Sequence, residues 1–211
     1  MNIEMTEVYG FRPALRGMRN PMNSHAKTDS LFVENMDSKL ICSTSVGSKD
    51  KELSIKLQKA GPEHCKHLRM IMVWADITAQ RSFWTQFDTY RAGVEKVSTS
   101  TMHKMMAREL TPDDFESCND GCYSETLLST IEYINELIKE YNKITDVTEK
   151  RKLWEYVIQI LPQSYLQRRT VMMSYAAIRN IVRQREGHKM KDWQTFIEWA
   201  RSLPESWMIF E

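Results

Sequence analysis

Glycine and proline are scarce in this chain, seven and six among 211 residues, and nowhere do they gather with serine into a linker long enough to separate domains. One domain spanning 1–211 is therefore expected, with enough residues to bury one substantial core. Cysteine is as sparse. Cys42, Cys65, Cys118 and Cys122 are too few to frame a chain of this size with disulfides and read as reduced thiols. Cys118 and Cys122 lack the second ligand pair that a structural zinc needs, so no metal is expected. Long apolar runs are missing too: Met70 to Ala75 falls far short of the roughly 20 residues of a membrane span, and the polar N-terminus has no signal-peptide core. A soluble, cytoplasmic protein without a membrane partner is the expectation. Nor does one sign of charge dominate. With 29 basic and 28 acidic side chains the formal charge is +1, which gives no field to gather nucleic acid from a distance, so any anionic ligand must be held locally. No Walker loop, Gly-x-Gly-x-x-Gly, Gly-x-Ser-x-Gly or His-Glu-x-x-His occurs, which removes the common triphosphate, dinucleotide, hydrolase and zinc-protease signatures.

What is present is mostly helical periodicity. Leu53, Leu57 and Ala60 recur at helical spacing and Gly61-Pro62 supplies a stop, predicting a short helix from Asp50 to Ala60. Leu68 to Ile77 is apolar and β-favouring without a helical period and reads as a buried strand, with Thr78 placed to cap a helix from Ala79 to about Ala92. Leu127, Ile131, Ile134, Ile138 and Tyr141 form the stripe of a long amphipathic helix. Leu153, Tyr156, Val157 and Ile160 give another, ended by Leu161-Pro162. Met173, Ala177 and Ile181 lie along one face of a helix reaching about Arg185, and Trp193, Phe196, Ile197 and Ala200 mark a last helix from Asp192 to Leu203. Residues 10 to 50 are polar, and Gly10, Pro13, Gly17 and Pro21 predict strands and loops there. The sum is a helix-rich α+β domain.

Several side chains invite chemistry. The segment from Arg81 to Arg91 puts Arg81, Trp84 and Asp88 along one helical side and Gln86 and Tyr90 on another. Gly93 and the hydroxyl-dense stretch Ser98-Thr99-Ser100-Thr101 follow, which reads either as a cradle for a phosphate or flavin pyrophosphate or as a solvated loop. His103-Lys104 and His188-Lys189 each set an imidazole beside an ammonium, suited to a base or a phosphate ligand and equally to plain surface charge. His64, Cys65 and His67 match no standard metal spacing. The methionine pairs Met105-Met106 and Met172-Met173 read as core filling.

Taken in order, three segments from about 50 to 203 resemble the flavin-dependent thymidylate synthases. Gly61-Pro-Glu-His64-Cys-Lys-His-Leu68 is similar to the family's histidine-containing turn before its core strand. Arg81, Phe83 and Gln86 follow its Arg-x-Phe-x-x-Gln pattern, with Thr89-Tyr90-Arg91 where the family carries Arg-His-Arg. Leu161-Pro162 and a helix ending in Arg185 resemble its Leu-Pro followed by a helix with a terminal substrate-binding arginine.

The resemblance implies a helix-rich α+β domain with a central antiparallel sheet, assembled as a homotetramer that binds FAD and the pyrimidine nucleotide dUMP where subunits meet. It further implies that NADPH reduces FAD and that a methylene group passes from methylenetetrahydrofolate to C5 of dUMP. Carried over by position, Gln86 and Arg185 hold dUMP, and His64, Arg91 and Asn180 approach FAD. The hydroxyl of Thr99, or of Ser98 or Ser100, takes the place of the family's signature serine. The pattern is altered elsewhere. Thr89 and Tyr90 replace an arginine and a histidine, Val94 a serine and Thr101 the signature's last arginine, while Ile158 stands for an arginine and Ser174 for an asparagine. Losing two or three charge-assisted bonds, each about 1.5–3 kcal/mol, weakens nucleotide binding by orders of magnitude unless other groups substitute. Lys66, Lys96, His103 and Lys104 are candidates. The outcomes in view are a divergent thymidylate synthase, a flavoenzyme of the same fold acting on another pyrimidine nucleotide, and a nucleotide-binding or assembly protein that keeps the fold without the chemistry. A bacterial virus, whose compact genome favours divergent enzymes, is the suspected source, and the host cytoplasm then the location.

Overall fold

The computed structural model describes residues 1–34, 41–117 and 123–211, with the side chains of 33, 34, 41–44, 102 and 103 left aside. Cys118 and Cys122 lie outside the described residues, and so do the side chains of Cys42 and His103. Strand β1 (Asn2–Tyr9) leads into α1 (Phe11–Arg19); β2 (Leu31–Glu34) and β3 (Ile41–Ser45) pair antiparallel before α2 (Ser48–Ala60). Then come β4 (Met72–Gln80), α3 (Arg81–Phe87), β5 (Val94–Ser98) and the single turn α4 (Thr101–Lys104). The long helices α5 (Glu125–Lys143) and α6 (Val147–Ile160) precede β6 (Leu166–Ser174), which runs into α7 (Tyr175–Arg185), α8 (Lys191–Ser202) and α9 (Trp207–Phe210). Four strands form one antiparallel sheet in the order β1-β4-β6-β5. No helix among the described residues is long and apolar enough to cross a membrane.

The chain forms two compact units. Unit 1 holds residues 1–2, 77–89 and 97–169; unit 2 holds 3–76, 90–96 and 170–211.

Unit 1 is built on the predicted helical pair. Ser124 and Asp146 accept the Leu127 and Glu149 amides as N-caps of α5 and α6, satisfying donors that open each helix. Leu127, Ile131, Ile134 and Ile138 face a cluster with Met105, Met106, Leu110, Phe115, Val157 and Leu161, so the methionine pair at 105–106 does fill core. Tyr156, expected on the apolar face of α6, is instead exposed. Phe83, Trp84 and Phe87 pack ring against ring with centroids 5.3–5.5 Å apart. The helix carrying them is shorter than predicted. Thr78 and Ala79 still belong to the strand, and Gln80, not Thr78, occupies the N-cap.

Unit 2 departs from expectation in three places. Residues 11–19 form a helix, because Pro13 falls in its first turn, where no backbone N–H is needed, and the Gly10 carbonyl accepts the Ala14 amide at 3.0 Å. Gly10 is obligatory: its φ is 103°, and a Cβ would sit 2.1 Å from the Met70 carbonyl oxygen. In α2 the buried face is polar, Asp50, Ser54 and Gln58, while Leu53 and Leu57 are only half-buried and Ala60 is exposed. Polar burial there is matched by partners: Asp50 accepts from Arg19 Nε, Thr28 Oγ1 and Ser30 Oγ, each at 2.6 Å. Burial pushes the Asp50 pKa up, but the bonds from Ser30, Thr28 and Arg19 prevail and hold it below the ordinary carboxylate value. Finally, Met173 belongs to a strand and not to a helix. The Tyr175 amide bonds to the Ile71 carbonyl and the Ser174 amide to the Gly93 carbonyl, both at 2.9 Å, so β6 pairs antiparallel on either side before α7 begins. The predicted strand starts later too, since Lys66–Arg69 form a 3₁₀ turn. The predicted last helix buries Trp193, Phe196, Ile197 and Ala200.

Candidate functional site

Unit 2 contains a cleft of about 620 Å³ between the turn at 62–72, the loop at 92–93 and the first turns of α7. Leu68, Met72, Ala176 and Ala177 give it an apolar lining, and Arg69, Arg179, Asn180 and Arg183 supply the polar groups. Arg179 and Arg183 stand one helical turn apart, which sets both on the same side of α7. No acidic residue lines the cleft among the described residues.

Arg179 is the unusual group. It is 8% exposed, its Nη1 donates to the Cys65 sulfur at 3.7 Å, and its Nε has no partner among the described residues. Burial, and after it the charge on Arg183, lower its pKa from the ordinary arginine value, yet a guanidinium stays protonated in a protein. A buried positive charge without a carboxylate is costly unless a ligand neutralises it. Close enough to feel the Arg179 charge, His67 is buried with Nε2 2.8 Å from Ser54 Oγ, and Nδ1 has no side-chain bond among the described residues. Burial, reinforced by the Arg179 charge, lowers the His67 pKa to about 4, so the ring is neutral at pH 7. His64, Cys65 and His67 turn to different partners: Glu63, the Gly61 carbonyl and Ser54.

Of the residues selected by sequence, Asn180 lines the cleft, its Oδ1 held by Gln184 Nε2 at 3.0 Å. Arg91 is exposed and immediately precedes the lining residues Ala92 and Gly93. His64 follows the lining residue Pro62 by two and is exposed, 3.5 Å from Glu63. Arg185 donates from Nε to Tyr90 Oη at 2.8 Å, with its guanidinium 4.5 Å from the Trp193 ring centre. His188 accepts the Met190 amide on Nδ1 and packs on Trp193, a local cap more than a free base. Arg69, Arg179 and Arg183 were missed. The only sequence signal for them was the i, i+4 spacing of the last two.

In unit 1, Gln86 is half-buried on α3. Ser98 ends β5 and Ser100 precedes α4. Between them Thr99 donates both its amide and its hydroxyl to the Arg168 carbonyl, at 2.9 and 3.1 Å. Within the stretch 98–101, Thr99 is thus tied to β6 while Ser98 and Thr99 remain exposed. A second cavity of about 310 Å³ lies nearby, lined by Arg81, Trp84, Thr85, Asp88, Thr101, Ile158, Gln167 and Arg169. Arg81, Trp84 and Asp88 share one helical side, as their spacing predicts.

No protein-family model and no curated protein sequence matches the chain. Solved structures do. Thymidylate synthase X (ThyX) from Helicobacter pylori with FAD and dUMP superposes with a TM-score of 0.71 at 15% identity, covering 100% of this chain and 98% of that one. A second structure of flavin dependent thymidylate synthase ThyX from Helicobacter pylori, complexed with FAD and dUMP, gives 0.70 at 15% identity over 99% and 98% of the two chains. The fold is that of the flavin-dependent thymidylate synthases.

Proposed function

We propose that this chain is a divergent flavin-dependent thymidylate synthase-like enzyme: a single such domain over 1–211, assembling as a homotetramer, that binds FAD and methylates dUMP with methylenetetrahydrofolate and NADPH. The observation that carries the reading is the buried, carboxylate-free Arg179 in the cleft of a fold shared over the full chain. FAD suits such a cleft. The apolar lining of Leu68, Met72, Ala176 and Ala177 accepts a flat ring, and Arg69, Arg179 and Arg183 suit a pyrophosphate. Gly93 lets the loop at 92–93 approach Ser174 closely, since its φ is 70° and a Cβ there would lie 2.7 Å from Ser174 Oγ. Bound FAD would supply the redox chemistry between NADPH and the one-carbon donor.

The residues of this chain would bind and orient. Gln184 fixes the Asn180 amide toward the cleft, and Arg91 and His64 would approach at its rim. Gln86 in unit 1 and Arg185 in unit 2 are each proposed to contact the pyrimidine nucleotide, with Ser98, Thr99 or Ser100 as the hydroxyl near the ring. The visible spectrum of the purified protein with FAD, after excess is removed, tests the reading. A retained flavin band with shifted maxima is expected, and a colourless protein overturns it.

One observation favours a second reading, a nucleotide-binding or assembly protein without the chemistry. Thr99 spends its hydroxyl proton on the Arg168 carbonyl. Flavin-loaded protein that forms no dTMP from dUMP, methylenetetrahydrofolate and NADPH would select that reading.

A further inference from the structure

Two of the three positions at which the sequence lacks an arginine that the resemblance implies, Thr101 and Ile158, are far apart in the chain, yet both line the 310 Å³ cavity of unit 1. The same cavity holds two arginines from other elements, Arg81 at the start of α3 and Arg169 in β6. The cationic character missing at 101 and 158 is thus present at other positions in one cavity.

Arg169 is held ready. Its guanidinium carbon stands 4.2 Å from the Trp84 ring centre, and Trp84 itself is locked by an indole N–H bond to the Gln167 carbonyl at 2.9 Å. Nε and Nη2 donate to Gln167 Oε1 at 3.0 and 2.9 Å. The orientation of that amide is fixed in turn, because its Nε2 donates to the Thr99 carbonyl at 2.9 Å and reaches Thr101 Oγ1 at 3.3 Å. On its remaining side, Nη1 donates to Asp88 Oδ1 at 2.8 Å. Arg169 is 15% exposed and Asp88 45%, so the arginine is anchored and its carboxylate partner is the group open to water. An ion pair that water reaches in this way contributes little to stability and exchanges readily for a better anion.

We infer that this cavity is a phosphate site in which the Asp88 carboxylate stands in for the ligand's phosphate when no ligand is bound. Arg81 and Arg169 against Asp88 leave one net positive charge, and displacing Asp88 leaves two facing the dianion of a phosphomonoester. The hydroxyl of Thr101, which accepts from Gln167 Nε2, offers a further donor. From the preceding proposal the inference takes only the ligand class, a pyrimidine nucleoside monophosphate. No bond is made or broken in the exchange.

The two members of the pair then act with opposite sign, which a merely structural ion pair would not do. Calorimetric titration of the full chain with dUMP, deoxyuridine and inorganic phosphate, on the wild type, Arg169→Gln and Asp88→Asn, reads this. Arg169→Gln should weaken dUMP and phosphate roughly tenfold or more, and Asp88→Asn should tighten both by about threefold or more, with deoxyuridine indifferent to either change. Asp88→Asn decides alone if Arg169→Gln fails to fold: unchanged or weaker phosphate binding overturns the site. If dUMP binds but neither variant alters it, the site falls and the nucleotide reading stands. If phosphate alone shows the opposed pattern, the site stands and the nucleotide reading falls. A wild type that binds neither overturns both.

Discussion

Arg185 Nε donates to Tyr90 Oη at 2.8 Å while its guanidinium lies over Trp193. An arginine gripped by two aromatic side chains has few rotamers left to lose, so it is positioned for a planar anionic or amide partner before one arrives. Arg185→Ala should reduce dUMP affinity at least tenfold, measured by calorimetry, and cost about 1 kcal/mol of stability in urea through the lost stacking. Unchanged affinity would remove Arg185 from the proposed site.

Arg179 is expected to matter to cofactor uptake and little to folding. Replacing a buried guanidinium that has no carboxylate partner among the described residues by an apolar chain of similar length removes a desolvated charge, so Arg179→Met should fold at least as stably as the wild type. Its FAD affinity should fall roughly tenfold or more, followed by flavin fluorescence quenching. A less stable variant with undiminished FAD affinity would contradict both halves.

His67 makes stability depend on pH. Its folded pKa is about 4 against 6.5 for the ordinary side chain, so between those values the unfolded chain takes up a proton that the folded chain refuses. Stability should therefore fall as pH drops from about 6.5 to 4, by about 3 kcal/mol from this residue, with no further loss below. Urea unfolding across that range should show a steeper decline for the wild type than for His67→Gln. Parallel curves would assign the decline to carboxylates alone.

Asp50 lies at 0% exposure against Arg19 at 4%. Removing the carboxylate strands the Arg19 charge, and Asp50→Ala should destabilise the protein by about 3–5 kcal/mol, read as a lower urea midpoint with the slope preserved. A loss under 1 kcal/mol would mean that solvent reaches Arg19.

Sequence reasoning found the elements whose buried face is apolar and periodic, such as α5 with Leu127, Ile131, Ile134 and Ile138, and α8 with Trp193 and Phe196. It failed where a different rule prevailed. In α2 the leucines pointed to the wrong face, because hydrogen bonding rather than hydrophobicity fills the buried side at Asp50, Ser54 and Gln58. In β6, Arg168 and Arg169 interrupt the apolar alternation and Met172-Met173 suit a helix as well as a strand. For α1, Pro13 and Gly17 looked prohibitive although the first turn tolerates proline. At the site, Asn180 was reached only through resemblance, while Arg69 gave no local sign and Arg179 only its i, i+4 spacing from Arg183. Their role arises from what the turn at 62–72 and α7 bring together.

The junction of Arg19, Thr28, Ser30 and Asp50 has an evolutionary consequence. Three side-chain donors converge on one carboxylate, so losing any one of the four side chains leaves the others less well satisfied. Drift at these sites is permitted only in concert, and diverged relatives of this chain should vary there as a linked set, whereas the exposed residues of α2, such as Glu52, Lys56 and Lys59, change one at a time.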